Sequence, residues 1–146
     1  MFVLRLVSGD VCLRINLQKD IQTEVDIKQF VDSFYDKVRA DEMLAPIFNE
    51  IAKVDWNEHL PVLYSFWSAL LFQTKNFKGQ PFPKHAVLPL QKEHFTQWVS
   101  LFVQTVDENF SGTKADEAKN FARSIADTFQ LRMGLLAAIG NKDYVN

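Results

Sequence analysis

The chain has 146 residues and a formal charge of −2 from 16 basic and 18 acidic side chains, which gives no support for binding to nucleic acid or to an anionic membrane. That length is enough for one compact domain with a substantial core, and only five glycines and five prolines interrupt it, which favours long helices. The 13 phenylalanines, three tryptophans and three tyrosines exceed what a small helical core needs, and their common further use is to bind a flat apolar ligand.

Residues 1–20 show no helical period, and apolar and polar side chains alternate at 11–17 as they do in a strand. We therefore predict an N-terminal extension of uncertain order at 1–20, which a mis-assigned start codon would also explain. Cys12 is the only cysteine, so an internal disulfide is excluded and a reducing compartment, the cytoplasm, is expected. The apolar run at 1–7 is too short for a signal peptide, and no stretch is long enough for a membrane span.

The first helical pattern follows at Asp26, where apolar residues from Ile27 to Val38 recur at the spacing of one helix face. Asp26 is the predicted N-cap. The helix should stop by Ala45, because the residue before a proline disfavours the helical conformation. Residues 44–48 are then typical of a buried corner.

The second predicted helix covers Trp56–Phe72 and begins with Asp55 and Glu58 in the pattern of a capping box. Pro61 lacks an N–H, so the helix either kinks there or becomes regular only near His59. His59 belongs to the apolar face of this helix and should point toward the interior. That face consists of His59, Leu63, Phe66, Trp67 and Leu70.

Residues 73–90 form a connector that contains Gly79 and three prolines, and connectors of this length are usually functional or disordered. A helical turn at 85–88 would shorten it. A third helix is predicted from Gln91 to the Ser111-Gly112 pair. Thr113 is the predicted N-cap of a last helix, whose apolar stripe is Ala118, Phe121, Ala122, Ile125, Phe129 and Met133.

His85 lies in the connector between Pro83 and Pro89, and such flanking prolines restrict a short segment at small entropy cost. A neutral imidazole held at a fixed angle is what a haem iron needs as its ligand. His85 and His59 on either side of an apolar slot would ligate and guard such an iron. The simpler alternative for His85 is a surface histidine in a loop. Without a C-x-x-C-H motif, any haem would be held non-covalently.

Tyr35 and Trp98 carry hydrogen-bond donors on apolar helix faces. Tyr35 is the candidate donor to a ligand on the iron, and Trp98 can only donate. Both also fit ordinary core packing, His59 also fits a partly exposed helix histidine, and Phe48 either stacks on a ring or fills the corner. The motifs of nucleotide-binding loops, serine hydrolases and zinc proteases are absent, so a hydrolase has little support.

Several motifs occur together in one order and resemble the group III truncated haemoglobins over roughly residues 22–136. Two departures are the extension at 1–20 and Val62, where many relatives carry a lysine. The motifs are Phe34-Tyr35-x-x-Val38-Arg39-x-Asp41-x-x-Leu44-x-Pro46-Ile47-Phe48, Trp56-x-x-His59-Leu60-Pro61, Phe66-Trp67-Ser68, Gly79-x-Pro81-x-x-x-His85 and His94-Phe95-x-x-Trp98.

The resemblance implies an all-α fold, the truncated globin, in which a two-over-two helical sandwich at 21–146 surrounds a haem pocket. It implies haem b, iron protoporphyrin IX, held non-covalently with His85 as the proximal ligand. The polar distal residues would be Tyr35, His59 and Trp98. Haem contacts would come from Phe48, Leu63, Phe66 and Phe95.

By the same resemblance, the protein would bind O2 and other diatomic ligands and use them in redox chemistry, such as NO detoxification or peroxidase-like turnover. Its partners would be O2, NO, CO or peroxide and an unidentified reductase, and it would be a monomer or a weak homodimer. Two alternatives stay open. One is a non-catalytic haem-based gas sensor or oxygen-binding protein, and the other is a haem-free helical interaction module.

Overall fold

The structure is a computed structural model that describes residues 18–74 and 88–135. The strand-like stretch at 11–17, most of the connector and His85 lie outside these ranges. The described residues form four α-helices, one π-helical turn and no strand. The elements are α1 (Glu24–Ala40), the π-helical turn (Pro46–Ile51), α2 (Trp56–Phe72), α3 (Lys92–Asn109) and α4 (Thr113–Arg132). None of these helices is long and apolar enough to cross a membrane.

The four helices pack as two pairs, and this confirms the predicted all-α two-over-two sandwich. Helix α1 packs on α2 and α3 packs on α4, while α1 also contacts α3 and α2 contacts α4. Aromatic rings fill the space between the pairs. Trp67 stacks on Phe102 with ring centroids 4.8 Å apart, and Phe30 meets both rings edge-on at 5.7 Å. All three side chains are fully buried.

The start of α1 differs from the prediction, because Thr23 and not Asp26 is the N-cap. The Thr23 hydroxyl accepts from the Asp26 N–H at 3.2 Å, and the Asp26 carboxylate accepts in return from the backbone N–H of Thr23 and of Gln22. Asp26 is therefore the third residue of the helix in a capping box. Its buried carboxylate also accepts from the Lys19 ammonium at 2.6 Å.

The corner after α1 is buried as predicted, with Leu44, Ile47 and Phe48 in the core. The helix ends at Ala40, earlier than the proline requires, because Asp41 adopts an extended backbone. The Asp41 carboxylate then accepts from the Leu44 N–H at 3.0 Å and from the side chain of Gln97 on α3 at 2.6 Å. The sequence pattern did not predict the π-helical form of the turn that follows.

Helix α2 begins at Trp56, with Asp55 as its N-cap through a 3.1 Å bond from the Asn57 N–H. The helix is continuous through Pro61, so the alternative of a regular part that begins only near His59 is wrong. Polar bonds join α2 to α1 beside the core. In one of them the Ser68 hydroxyl donates to the Glu24 carboxylate at 2.5 Å.

The predicted N-cap of α4, Thr113, is wrong, because Gly112 occupies that position and has no side chain to offer. The capping carboxylate comes from Asp20, whose oxygens accept from the backbone N–H of Lys114 at 2.9 Å and of Ala115 at 2.8 Å. Any residue other than glycine at position 112 would be strained. Its φ is +142°, and a Cβ atom there would lie 2.5 Å from the Asp20 Cγ.

Candidate functional site

A cavity of about 820 Å³ lies among the four helices and the π-helical turn, and side chains from all of these elements form its wall. Its size falls within the range of about 300–1,000 Å³ that is typical of small-molecule and cofactor sites. The structure brings most of the predicted site residues to this one wall. They are Tyr35, Phe48, His59, Leu63, Phe66, Phe95 and Trp98. His85 lies outside the described residues.

The Tyr35 hydroxyl is a deeply buried polar group of the cavity, on a residue that is 5% exposed. The Trp98 indole N–H lies close enough to it to favour the ionised phenol. Because an indole N–H can only donate, it leaves the proton of the Tyr35 hydroxyl available to donate. Among residues 18–74 and 88–135, no group accepts that proton. The cavity therefore contains a hydrogen-bond donor aimed at whatever occupies it.

Burial keeps the Tyr35 hydroxyl protonated. It raises the pKa of the phenol far above its ordinary value of 10, although the hydrogen bond from Trp98 acts in the opposite direction. Aromatic rings hold the phenol ring in place. Its centroid lies 4.6 Å from that of Phe34, 6.2 Å from that of Phe48 and 5.4 Å from that of Trp56. The donor is thus both permanent and fixed in position.

His59 lies on the cavity wall one turn before Leu63 and is partly buried. Its ring meets the Trp56 ring edge-on, with centroids 5.7 Å apart. The prediction that His59 points inward rather than wholly into water agrees with this placement. Its role in the cavity stays a prediction.

The rest of the wall is mostly apolar and includes side chains that the sequence analysis treated as ordinary core. Ile125, Ala126 and Phe129 of α4 line the cavity, although they belong to a stripe that also packs the interior. Their helical spacing is the same as that of core residues, so periodicity alone could not separate the two groups. Leu88 and Leu90, in the described end of the connector, lie on the wall too.

His94 is a cavity residue that the sequence analysis used only as part of a motif. Its Nδ1 accepts from the Gln91 backbone N–H at 2.8 Å and so helps to begin α3. Because Nδ1 is an acceptor here, any proton on a neutral ring is on Nε2. His94 therefore has a structural role at the start of α3, immediately before the cavity residue Phe95.

The mouth of the cavity is formed by the chain between the π-helical turn and α2. Lys53 has a left-handed backbone conformation, with φ at 53°, which turns the chain into the second helix. Asp55 and Glu58 are exposed beside it, and Val62 is 47% exposed. Among the described residues, the charged side chains of the cavity are thus exposed ones, while the buried part of the wall is apolar apart from the few polar groups described above.

Comparison with known proteins identifies the family. The model of the bacterial-like globin family matches residues 16–130, which is most of the chain. The chain belongs to the bacterial-like globins. Its resemblance to the truncated haemoglobins is confirmed by the relatives that follow.

The group 3 truncated hemoglobin ctb of Campylobacter jejuni is 32% identical to this globin over 108 residues, which cover 71% of this chain and 85% of that protein. The crystal structure of the group III truncated hemoglobin from Campylobacter jejuni matches with a TM-score of 0.71 and 29% identity, covering 86% of this chain and 99% of that chain. The group 1 truncated hemoglobin GlbN of Nostoc commune is 32% identical over 80 residues, 54% of this chain and 65% of that protein.

Membership of the globin family implies haem binding, and the cavity of this globin fits a haem. It has the volume of a cofactor site and walls of aromatic and aliphatic side chains that suit a flat apolar ring.

Proposed function

We propose that this globin holds haem b non-covalently in the cavity, with His85 as the proximal ligand and with Tyr35, His59 and Trp98 on the polar distal side. Support for His85 comes from its motif, Gly79-x-Pro81-x-x-x-His85, and from Leu88 and Leu90, which lead from the connector onto the cavity wall. Support for the contacts with Phe48, Leu63, Phe66 and Phe95 is their presence on the same wall.

The single observation that carries the proposal is the buried Tyr35 hydroxyl on the cavity wall, beside the Trp98 indole, with its own proton available to the cavity. Haem, when bound, supplies an iron that binds diatomic gases. Tyr35 donates to such a ligand as negative charge develops on it, and Trp98 strengthens that donation because it polarises the phenol oxygen. One net hydrogen bond is worth about 0.5–1.5 kcal/mol, which slows ligand escape by roughly two- to tenfold.

Tight retention of a ligand suits chemistry better than delivery. The proposed function is therefore redox turnover of O2 with NO, or of a peroxide, rather than oxygen transport. An unidentified reductase supplies the electrons. The proposal places the protein in the cytoplasm as a monomer or weak homodimer, with 21–146 as the globin domain and 1–20 as an extension.

The visible absorption spectrum of the purified, reduced protein, recorded before and after addition of carbon monoxide, tests the proposal. We expect a haem band that shifts sharply to that of a six-coordinate carbonyl form. A protein that stays colourless, even after hemin is added, would overturn the proposal and leave a helical interaction module.

A further inference from the structure

Trp56 packs against Tyr35 of α1 and His59 of α2, which the proposed function places beside the ligand. It is the first residue of α2 and stands behind the cavity wall. Its ring centroid lies 5.4 Å from that of Tyr35 and 5.7 Å from that of His59. Phe48, on the same wall, is 5.9 Å away.

Groups on two other elements hold Trp56 from outside. The Arg39 guanidinium lies over the indole, 5.0 Å from the ring centroid, which is a cation–π geometry. The indole N–H donates to the side-chain oxygen of Asn49 in the π-helical turn at 3.3 Å. The indole is therefore fixed at its edge and on one face, while Tyr35 packs against it from the protein interior.

Arg39 is well placed to act on the cavity from the surface. It is exposed and stands four residues after Tyr35, on the same side of α1. Within the described residues it forms no salt bridge, so its contact with Trp56 does not compete with a carboxylate. A single exposed side chain thus bridges the end of α1 to the start of α2, directly above the buried phenol.

We propose that Trp56 is a positioning residue that sets where the Tyr35 hydroxyl and the His59 ring lie, and that Arg39 holds Trp56 in this position from the surface. The inference rests on the proposed function, which assigns ligand contacts to Tyr35 and His59. Without the indole, a gap opens beside the Tyr35 ring, and the phenol and the imidazole gain other orientations. Neither Trp56 nor Arg39 touches the cavity, so any effect must pass through their neighbours.

Infrared spectroscopy of the carbon monoxide complex tests the inference, because the CO stretching band responds to hydrogen-bond donors near the ligand. Trp56→Leu should split or broaden the band into several populations, while Trp56→Phe, which keeps a ring, should largely restore the single band. Arg39→Met should change the ratio of these populations by roughly two- to fivefold, the range that an exposed cation–π contact supports, and Arg39→Lys should reverse much of that change.

Arg123→Met is the matched control, since Arg123 is exposed on α4 and, within the described part of the chain, its side chain bonds to Asn120 of the same helix alone. It should leave the band unchanged. A band in Trp56→Leu identical to that of the parent, while Tyr35→Phe shifts it, would overturn the inference and leave the proposed function standing. If Trp56→Leu does not fold, an Arg39→Met band identical to that of Arg123→Met would overturn it. Absence of any CO complex in the parent would instead defeat the proposed function.

Discussion

The Tyr35 hydroxyl is a donor whose protonation does not depend on pH over the range in which proteins work. Burial raises its pKa and outweighs the nearby Trp98 indole, which acts in the opposite direction. A donor of this kind acts on a bound ligand in the same way at every ordinary pH. The cavity therefore has one polar group whose contribution can be measured by removing a single oxygen atom.

Tyr35→Phe should speed the release of O2 from the reduced haem protein by roughly two- to tenfold, because one hydrogen bond is lost while the ring remains. Stopped-flow measurement of the off-rate at pH 6, 7.5 and 9 checks this, and the ratio to the parent should stay constant. Tyr64→Phe is the control, since Tyr64 bonds to Asp32 on α1 and does not line the cavity. An unchanged off-rate in Tyr35→Phe would remove Tyr35 from the mechanism.

Through the Asp26 carboxyl, the stability of the folded protein depends on pH in the acid range. Burial would raise the pKa of its carboxyl, but the hydrogen bonds from Lys19 and from the backbone of Gln22 and Thr23 outweigh it, and the pKa is lowered. A carboxyl with a lowered folded pKa contributes stability above its unfolded pKa, and this stability is lost as the pH falls through the folded value. The relevant window lies below about pH 4.

Asp26→Asn should lower the free energy of unfolding at pH 7 and flatten its dependence on pH between about 5 and 2, since the titrating group is gone. Urea unfolding at a series of pH values measures both effects. Asp36→Asn serves as the control, because Asp36 is exposed on the same helix. Parallel pH curves for the parent and Asp26→Asn would contradict the assignment.

At the scale of helices, α4 depends on a residue far away in the chain. The backbone N–H groups of Lys114 and Ala115 in its first turn donate to the Asp20 carboxylate. Beside them, the Ser111 N–H donates to the Lys19 carbonyl at 3.0 Å. Loss of a capping side chain costs about 0.5–2 kcal/mol. The carboxylate charge also interacts favourably with the helix N-terminus.

Asp20→Ala should therefore lower the free energy of unfolding by about 1–2 kcal/mol, and Asp20→Asn by less, because an amide oxygen still accepts one bond. Gly112→Ala should also destabilise the protein, since its Cβ atom would meet Asp20 at a positive φ. Chemical unfolding followed by circular dichroism measures all three. Equal stability of Asp20→Ala and of the exposed control Asp36→Ala would disprove the cap.

The four helices were predictable from sequence because their signals are local. Apolar spacing located each helix to within a few residues at its ends, and Asp55 and Gln91 mark helix starts within their own segments. The cap of α4 was not predictable, because its carboxylate is more than 90 residues from the N–H groups it accepts from. The contacts of Trp56 with Tyr35 and Arg39 could not be predicted from the sequence for the same reason, since only the folded chain brings α1 and α2 together.

For the cavity, sequence could indicate residues with unusual chemistry but not all of its apolar wall. Tyr35, His59 and Trp98 are polar groups on apolar faces, which sets them apart. Ile125 and Phe129 have the same type and spacing as side chains that only pack the core, so nothing local distinguishes them. Their place on the wall depends on how the two helix pairs meet.

At the scale of the whole molecule, the cavity lies where the two helix pairs meet, so its occupant contacts both. Any ligand that binds the folded state alone stabilises it by RT ln(1 + L/Kd), where L is the concentration of free ligand. With hemin at about 100 times its Kd, the gain is about 2.7 kcal/mol. Folding and haem retention are therefore linked.

Thermal unfolding of the protein with and without hemin should show a clear rise in midpoint for the parent. His85→Ala should lose most of that rise and fail to retain hemin on a desalting column, while His59→Ala should keep both. His59 is the suitable control because it is the other histidine of the proposed pocket and is not assigned to the iron. Full retention of hemin with an unchanged spectrum in His85→Ala would contradict the assignment of His85 as the iron ligand.

The bonds from Asp20 to the start of α4 also bear on the lifetime of the folded state. The backbone hydrogen bonds inside each helix are local, whereas this contact closes a loop of about 94 residues and carries the entropy of that closure. We expect a contact of such long range to be largely absent from the folding transition state, so that its loss speeds unfolding more than it slows folding. The bonds from Asp20 should therefore contribute more to the lifetime of the folded protein than to the rate at which it folds.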